Sequence, residues 1–182
     1  GIGFTEGDAP SNFTVSNFKI IADGFVKTWY DQSVTTEQGN VATGNHAVQT
    51  TDASQPKIVN AGALVANGLD FDGSDDKLDM PTDLIASINS ASSFLVAKSD
   101  TVSGARIALA LSHSTSNFRF YLGALLGNKL NFGYQDTALK IELGAADTNK
   151  HLFTSIAGSS NAEAFLDGTS KGTVSSVDGK SA

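Results

Sequence analysis

The fold is decided by four short stretches: WYDQS at residues 29–33, GNHAVQTT at residues 44–51, QPKIV at residues 55–59 and LDFDGSDDKLDM at residues 69–80. Short aromatic or β-branched runs recur along the whole chain. Clusters of Ser, Thr and Asn separate them, and there are 18 Gly against three Pro. This pattern is typical of β-strands joined by frequent turns. The sequence therefore predicts an all-β protein in which helices are not the framework.

Alternating residues indicate where individual strands lie. Phe118, Phe120 and Leu122 share one face of a predicted strand, while Arg119 and Tyr121 share the other. This period of two is the mark of a half-buried strand. The clearest strands are predicted at residues 25–30, 57–60, 69–71, 93–98, 105–112, 117–122, 129–134, 151–157 and 163–166.

Other local signals complete the predicted organisation. The Gly and Asn of LGNK at residues 126–129 predict the tight turn of an antiparallel hairpin. A single helical turn is predicted at residues 83–88, with Thr82 as its N-terminal cap. Residues 1–23 are predicted to form an edge segment of the same domain. Because 182 residues are enough to bury a two-layer core, residues 1–182 are predicted to form one domain.

The composition excludes several classes of protein. Cysteine is absent, which excludes disulfides, thiolate nucleophiles and cysteine zinc sites. The formal net charge of −7 argues against nucleic acid as a partner, because binding phosphates requires a surplus of Lys and Arg. No apolar run approaches the roughly 20 residues that span a bilayer, so membrane insertion is not expected.

The chain begins at Gly1 and ends in SVDGKSA. We expect a segment of a longer protein, with a processed mature terminus as the alternative.

In this order, the four stretches resemble the front half of LamG-like members of the concanavalin A-like lectin/glucanase superfamily. Independently, AEAFLDGTSKGTV at residues 162–174 is similar to a hairpin of that fold in which an aromatic strand ends in Asp-Gly. The two matches together extend over residues 23–174. The resemblance implies a two-sheet antiparallel jelly-roll sandwich, as found in phage tail and virion proteins and in bacterial surface proteins. The chain departs from the family where residues 34–43 separate DQS from GNHA.

A carbohydrate site is the first functional hypothesis. Trp29 and Tyr30 are candidate platforms, because an aromatic ring can stack on a sugar while neighbouring polar groups bind its hydroxyls. The alternative is core packing, since one of two successive rings on a strand faces inward. Polar residues that follow could bind a glycan, or could support a turn. The predicted carbohydrate-binding residues are Tyr30, Asp31, Gln32, Asn45 and His46, with Ser33 in the same polar cluster, provided that the interrupted loop folds back.

A calcium site is the second hypothesis. Carboxylates are densest at residues 70–79, and calcium prefers such oxygen ligands. Asp72, Asp75 and Asp76 are the candidate ligands, although their spacing does not match an EF-hand loop. The alternative is a hairpin, turned at Gly73, whose acids are solvated. Asp167 is a weaker second candidate, with a place in a hairpin turn as its alternative. No cofactor is predicted to be required.

Glycoside hydrolysis is the enzymatic alternative, because an arabinofuranosidase family shares a YDQSGNGNH-type string. Retaining hydrolases hold two carboxyl groups about 5 Å apart. Here Glu142 and Glu163 stand singly, and the cysteines of those enzymes are missing. His113 and His151 have no spacing to His46 that would build a site. We therefore predict no catalytic residues.

Taken together, the patterns predict a non-enzymatic structural or recognition domain of a virion or an extracellular surface protein. In a virion it would be a tail fibre, a spike or a capsid decoration. The expected partners are a host-surface glycan and other virion or surface-protein subunits, with a homo-oligomer as the expected assembly. The expected location is the virion surface or the extracellular space. The alternatives are an arabinofuranosidase-type hydrolase and a structural module without a ligand.

Overall fold

The computed structural model describes residues 22–32, 44–66, 68–81, 84, 90–112, 119–134, 136–158 and 161–175. In this part of the chain the fold is all-β with antiparallel sheets, as predicted, and the helical element is a 3-10 turn at Asp52–Ser54. The strands are β1 (Gly24–Phe25), β2 (Thr28–Trp29), β3 (Ala47–Val48), β4 (Lys57–Asn60), β5 (Ala63–Leu64), β6 (Ala91–Ala97), β7 (Arg106–Ser112), β8 (Arg119–Leu126), β9 (Lys129–Tyr134), β10 (Asp136–Ala145), β11 (His151–Ala157), β12 (Asn161–Leu166) and β13 (Thr169–Ser175).

The chain divides into two compact units. The first contains the described residues among 22–29 and 48–79, and the second contains those among 30–47 and 80–175. A single domain covering both units stays a prediction. In the first unit, β4 pairs with β1 on one side and with β5 on the other. None of the helices in the described part of the chain has the length and apolarity needed to cross a bilayer.

The second unit contains two four-stranded antiparallel sheets. In the β7–β10 sheet, consecutive strands are neighbours in the order β10-β9-β8-β7. In the β6/β11–β13 sheet the order is β13-β12-β11-β6. The chain therefore leaves the second sheet after β6, completes the four strands of the first sheet, and returns to the second sheet with β11.

Two tight turns close hairpins that the sequence predicts. Gly127 and Asn128 have φ angles of 60° and 62° between β8 and β9. Asp167 and Gly168 have φ angles of 51° and 77° between β12 and β13. Two successive residues with positive φ match the right-handed twist of a hairpin, and Gly, Asn and Asp tolerate that conformation best. Both predicted hairpins are confirmed.

A hydrophobic core lies between the two sheets of the second unit. Burying one Leu or Phe side chain contributes about 1.5–3 kcal/mol, so this cluster is the main source of the unit's stability. The arrangement is β-sandwich-like. The β7–β10 sheet supplies Leu122, Leu130, Phe132, Ile141 and Leu143, and the β6/β11–β13 sheet supplies Phe153, Ala157, Ala162, Ala164 and Leu166.

Several local predictions were wrong or fall outside the described residues. The predicted strand at 25–30 is not continuous, because it breaks at Val26 between β1 and β2. The Val26 N–H donates to the Pro56 carbonyl at 2.9 Å. The predicted strand at 69–71 is reduced to an isolated bridge between Asp70 and Lys57. Of the predicted helical turn at 83–88, only Leu84 is described, and its N–H donates to the Pro81 carbonyl. Residues 1–21, 33–43 and 113–118, which include Ser33 and His113, lie outside the described residues.

A buried hydroxyl in the core leads to a test of the packing. Ser155 on β11 is fully buried, and its Oγ has no hydrogen-bond partner within the described ranges. A buried hydroxyl without a partner costs about 1–3 kcal/mol. We therefore expect Ser155→Ala to raise the free energy of unfolding by about 1 kcal/mol, as measured by urea denaturation. Ser92→Ala, at an exposed position of β6, is the control and should change little. A destabilised Ser155→Ala variant would contradict this packing.

Candidate functional site

The predicted carbohydrate-binding residues come together in the second unit. The Asn45 N–H donates to Asp31 Oδ2 at 3.0 Å, and the Asp31 N–H donates to His46 Nδ1 at 3.0 Å. These two bonds join residues that are 14 and 15 positions apart, so Asn45 and His46 return to Asp31, as the prediction required. We call Tyr30, Asp31, Asn45 and His46 the Tyr30 cluster. Gln32 lies beside it, and its side chain donates to the Tyr30 carbonyl at 3.1 Å.

The hydrogen bond to His46 determines the state of its ring. Because Nδ1 accepts a hydrogen bond from Asp31, the proton of the neutral imidazole must be on Nε2. Nε2 is therefore a donor. The two hydrogen bonds from backbone N–H groups hold the His46 ring and the Asp31 carboxylate in place. Neither bond uses the side-chain amide of Asn45, which has no hydrogen-bond partner among the described residues.

The aromatic ring of Tyr30 borders this polar cluster and is open to solvent. Its centroid lies 5.0 Å from that of His46, with the two rings at 69° to each other. Tyr30 is 53% exposed, and Trp29, which belongs to the first unit, is 51% exposed. Neither ring is buried, so the core-packing alternative finds no support in their exposure. An exposed aromatic ring beside polar loop groups is the arrangement expected of a binding module.

Gly44 allows the close approach within the Tyr30 cluster. A Cβ at this position would lie 2.6 Å from His46 Cε1 and 3.1 Å from Asp31 Cβ. Both distances are shorter than ordinary van der Waals contacts. A residue with any side chain at position 44 would therefore displace the His46 ring or the Asp31 side chain.

The three predicted calcium ligands are also close to one another. One carboxylate oxygen from each of Asp72, Asp75 and Asp76 lies within 4.8 Å of the others, a spacing that oxygens around one calcium ion can have. Each carboxylate also accepts a hydrogen bond. Asp72 Oδ1 accepts the Ser74 N–H at 2.7 Å, and Asp76 Oδ2 accepts the Asp72 N–H at 2.9 Å. Asp75 Oδ2 accepts from Ser54 Oγ at 2.6 Å.

Hydrogen bonds and neighbouring charges shift the pKa values of two groups in and beside this acidic loop, residues 70–79. The Ser74 N–H is the main reason that the pKa of Asp72 lies below its usual value. Lys57 lies on the adjoining strand, and its pKa is raised, first by its hydrogen bond to Asp23 and further by the charges of Asp70 and Asp76. The flanks of the loop do not pair with each other as a hairpin, because Asp70 pairs with Lys57 and Asp79 pairs with Val48.

Two carboxylates flank the ring of His151, and the sequence analysis did not predict this arrangement. The two ring nitrogens lie 2.9 Å from Asp147 Oδ1 and 2.7 Å from Asp167 Oδ2. Asp167 stands in the β12–β13 turn, the position that the sequence analysis gave as the alternative to a calcium ligand. Asp147 is four residues before His151, a spacing that could have drawn attention. The position of Asp167 could not be read from the sequence, because the pairing of β11 with β12 determines it.

The two glutamates considered for hydrolysis have local partners. Glu142 on β10 forms an ion pair with Lys129 on β9 at 2.6 Å. Glu163 on β12 accepts a hydrogen bond from Ser170 on β13 at 2.6 Å. Each carboxylate is thus bound to the neighbouring strand of its own sheet.

Comparisons with known proteins provide no relative: no family model, no curated protein and no solved structure matches this chain.

Adding one methyl group at position 44 tests the role of Gly44. We expect Gly44→Ala to lower the free energy of unfolding by about 1–3 kcal/mol, the usual cost of overpacking. It should also speed hydrogen exchange of the Asp31 amide, because the bond to His46 Nδ1 is lost. Gly144→Ala is the control, since its Cβ would lie 3.8 Å from Leu166 in ordinary contact. Unchanged exchange at Asp31 in Gly44→Ala would show that the cluster does not depend on this close approach.

Proposed function

We propose that this chain is a non-enzymatic recognition domain that binds cell-surface carbohydrate and belongs to a virion or extracellular surface protein. The observation that carries the proposal is the Tyr30 cluster. Tyr30 is about half exposed, beside groups that the hydrogen bonds of Asp31 hold in place. Sugar-binding sites need this combination, because a ring covers the apolar face of a pyranose while fixed polar groups bind its hydroxyls.

The cluster offers both donors and acceptors to a ligand. His46 Nε2 is a donor, and the Tyr30 hydroxyl and the Asn45 side-chain amide form no hydrogen bond with other described residues. A sugar hydroxyl can both donate and accept, so it suits such a mixed set. Single-site affinity of this kind is weak, and a multimeric surface protein can compensate by binding many sites at once.

We further propose that the fold is a LamG-like, concanavalin A-type jelly roll. Two antiparallel sheets on a common core and a hairpin closed by Asp167 and Gly168 support this proposal. The four sequence stretches beginning at residue 29 support it as well.

A non-enzymatic role is supported by the partners of the two candidate acids. Glu142 forms an ion pair with Lys129, and Glu163 accepts from Ser170. A retaining hydrolase needs two carboxyl groups that face one substrate at about 5 Å. Calcium at Asp72, Asp75 and Asp76 remains part of the proposal as an optional ion that would stiffen the acidic loop, and no chemical step depends on it.

The carbohydrate proposal predicts retention without cleavage. We expect the chain to be retained by at least one matrix in a panel of bacterial polysaccharides and plant arabinans, in calcium and in chelator, with no new reducing ends. Tyr30→Ala and Asn45→Ala should weaken that retention at least about tenfold, or about 1.4 kcal/mol. Phe71→Ala removes a different exposed ring, which belongs to the first unit and not to the outward face of β6 and β11, and should leave retention unchanged.

Two outcomes would contradict this proposal. Equal retention of the wild type and of Tyr30→Ala would remove the Tyr30 cluster as the binding site. Release of reducing ends would establish an enzyme in place of a binding domain.

A second role, assembly with other copies of the chain, is favoured by a separate surface. The outward residues of β6 and β11 are largely apolar: Phe94 is 72% exposed, Val96 61% and Ile156 53%. The register places Val96 opposite Leu152, and Ser92 opposite Ile156. A solvated antiparallel sheet normally presents polar residues on its outer face, and exposed apolar patches often mark interfaces. We propose that further copies of the chain cover this face in a homo-oligomer.

The assembly role predicts a change in mass. We expect the wild type to sediment as an oligomer, and Phe94→Asp to raise its dissociation constant at least about tenfold, because a buried unpaired charge is costly. Phe71→Asp is the matched control, since Phe71 is an exposed aromatic of the first unit. A wild type that remains monomeric at all concentrations would contradict this role.

A further inference from the structure

The environment of His151 requires a charged imidazole. His151 is the first residue of β11, and its side chain is only 14% exposed. Nε2 lies 2.9 Å from Asp147 Oδ1, and Nδ1 lies 2.7 Å from Asp167 Oδ2. An ionised carboxylate only accepts hydrogen bonds, so both ring nitrogens must donate. A neutral imidazole carries one N–H and can satisfy one of the two carboxylates.

The two carboxylates are held by the backbone and cannot easily follow the ring. Asp147 Oδ1 also accepts the Asn149 N–H at 2.8 Å, within the loop between β10 and β11. Asp167 Oδ1 accepts the Leu152 N–H at 2.9 Å, while the Asp167 N–H donates to the Leu152 carbonyl at 2.9 Å. The ring of His151 therefore joins three elements: the β10–β11 loop, the start of β11 and the β12–β13 turn.

Among the residues that the structure describes, few other charges act on this ring. Asp147 and Asp167 are the charged groups whose fields affect the pKa of His151. Lys150 precedes His151 in the sequence. On the neighbouring strand, Ala97 stands opposite His151, and the following residue, Lys98, forms an ion pair with Asp100. The edge of the Phe153 ring is the aromatic neighbour, with centroids 6.0 Å apart.

We propose that Asp147, His151 and Asp167 form a proton-controlled clamp. When the imidazole carries both protons, the clamp fastens the β10–β11 loop and the β12–β13 turn to the start of β11. When the imidazole loses one proton, one carboxylate loses its donor and repels the nitrogen lone pair, so that side of the clamp is released. The clamp lies outside the Tyr30 cluster, and it requires neither carbohydrate binding nor assembly.

The direction of the pH dependence follows from the surroundings of the three groups. Burial lowers the pKa of His151, but the hydrogen bonds to Asp167 and Asp147 outweigh it, so the net shift is upward. The pKa of Asp167 is lowered, mainly by His151, and that of Asp147 is lowered by the Asn149 N–H and then by His151. The raised histidine pKa contributes stability that is complete below its unfolded value and is lost as pH rises through its folded value.

The carboxylates have the opposite dependence on pH. Their lowered pKa values contribute stability that is present above the unfolded value of Asp and is lost as pH falls through the folded values. The clamp is therefore strongest in mildly acidic solution, above the ordinary pKa of Asp and below the ordinary pKa of His, which are about 3.9 and 6.5.

Thermal unfolding of the full chain across a pH series tests the clamp. We expect the wild type to melt at a higher temperature than His151→Asn, and we expect this difference in melting temperature to be largest near pH 5. The difference should shrink by about 2–4 °C as the pH rises to about 9, which corresponds to the loss of roughly one hydrogen bond. His46 and His113 are present in both proteins, so the difference isolates His151. A difference that is constant with pH would overturn the proposal.

A second measurement keeps the proposal testable if His151→Asn does not fold. The imidazole of His151 in the wild type can be titrated by NMR. The midpoint pH of this titration should lie above that of an unperturbed histidine. Asp167→Asn should lower this midpoint, whereas Asp100→Asn, which removes an equal charge elsewhere in the same unit, should not. A wild-type midpoint at or below the ordinary value, or equal midpoints in both variants, would overturn the clamp.

Discussion

The second unit depends on the packing of its two sheets across one core. Phe132 and Leu122 of the β7–β10 sheet are fully buried, and Phe153 and Ala164 are their buried counterparts in the β6/β11–β13 sheet. The two sheets meet at Gly123, where a Cβ would lie in ordinary van der Waals contact, 3.5 Å from Leu95 and 3.7 Å from Phe153. Close-packed interiors tolerate little displacement. The core therefore determines the strand register, and with it the positions of the turns and of the outward faces.

The features for which we propose functions lie outside the core. The same strand β11 turns Phe153 and Ser155 inward, and Leu152 and Ile156 outward, because successive side chains of a strand face opposite sides. The outward residues form the proposed assembly face, and the first residue of this strand, His151, forms the proposed clamp. The Tyr30 cluster is instead held by hydrogen bonds between loop segments. Binding groups on loops that a rigid sheet supports are the usual arrangement in β-proteins.

Sequence patterns predict the fold of this chain better than its sites. Strands β9 and β11 agree with their predicted bounds because their apolar residues alternate and turns flank them. Strand β10 is absent from the predicted strands because Ala, Leu, Lys and Glu are not typical strand residues, and pairing with β9 overrides that preference. The Tyr30 cluster could be predicted only on the condition that the loop between Asp31 and Asn45 closes. The pair of carboxylates around His151 could not, because strand register brings Asp167 to a residue 16 positions away.

Mapping a bound glycan by NMR would test whether the Tyr30 cluster is a carbohydrate site. Isotope-labelled protein would be titrated with oligosaccharides prepared from the polysaccharide that retains it. We expect the largest changes in chemical shift at Tyr30, Asp31, Asn45 and His46, and no changes in the core strands. Shift changes centred on another surface, or no changes with any retained glycan, would contradict it.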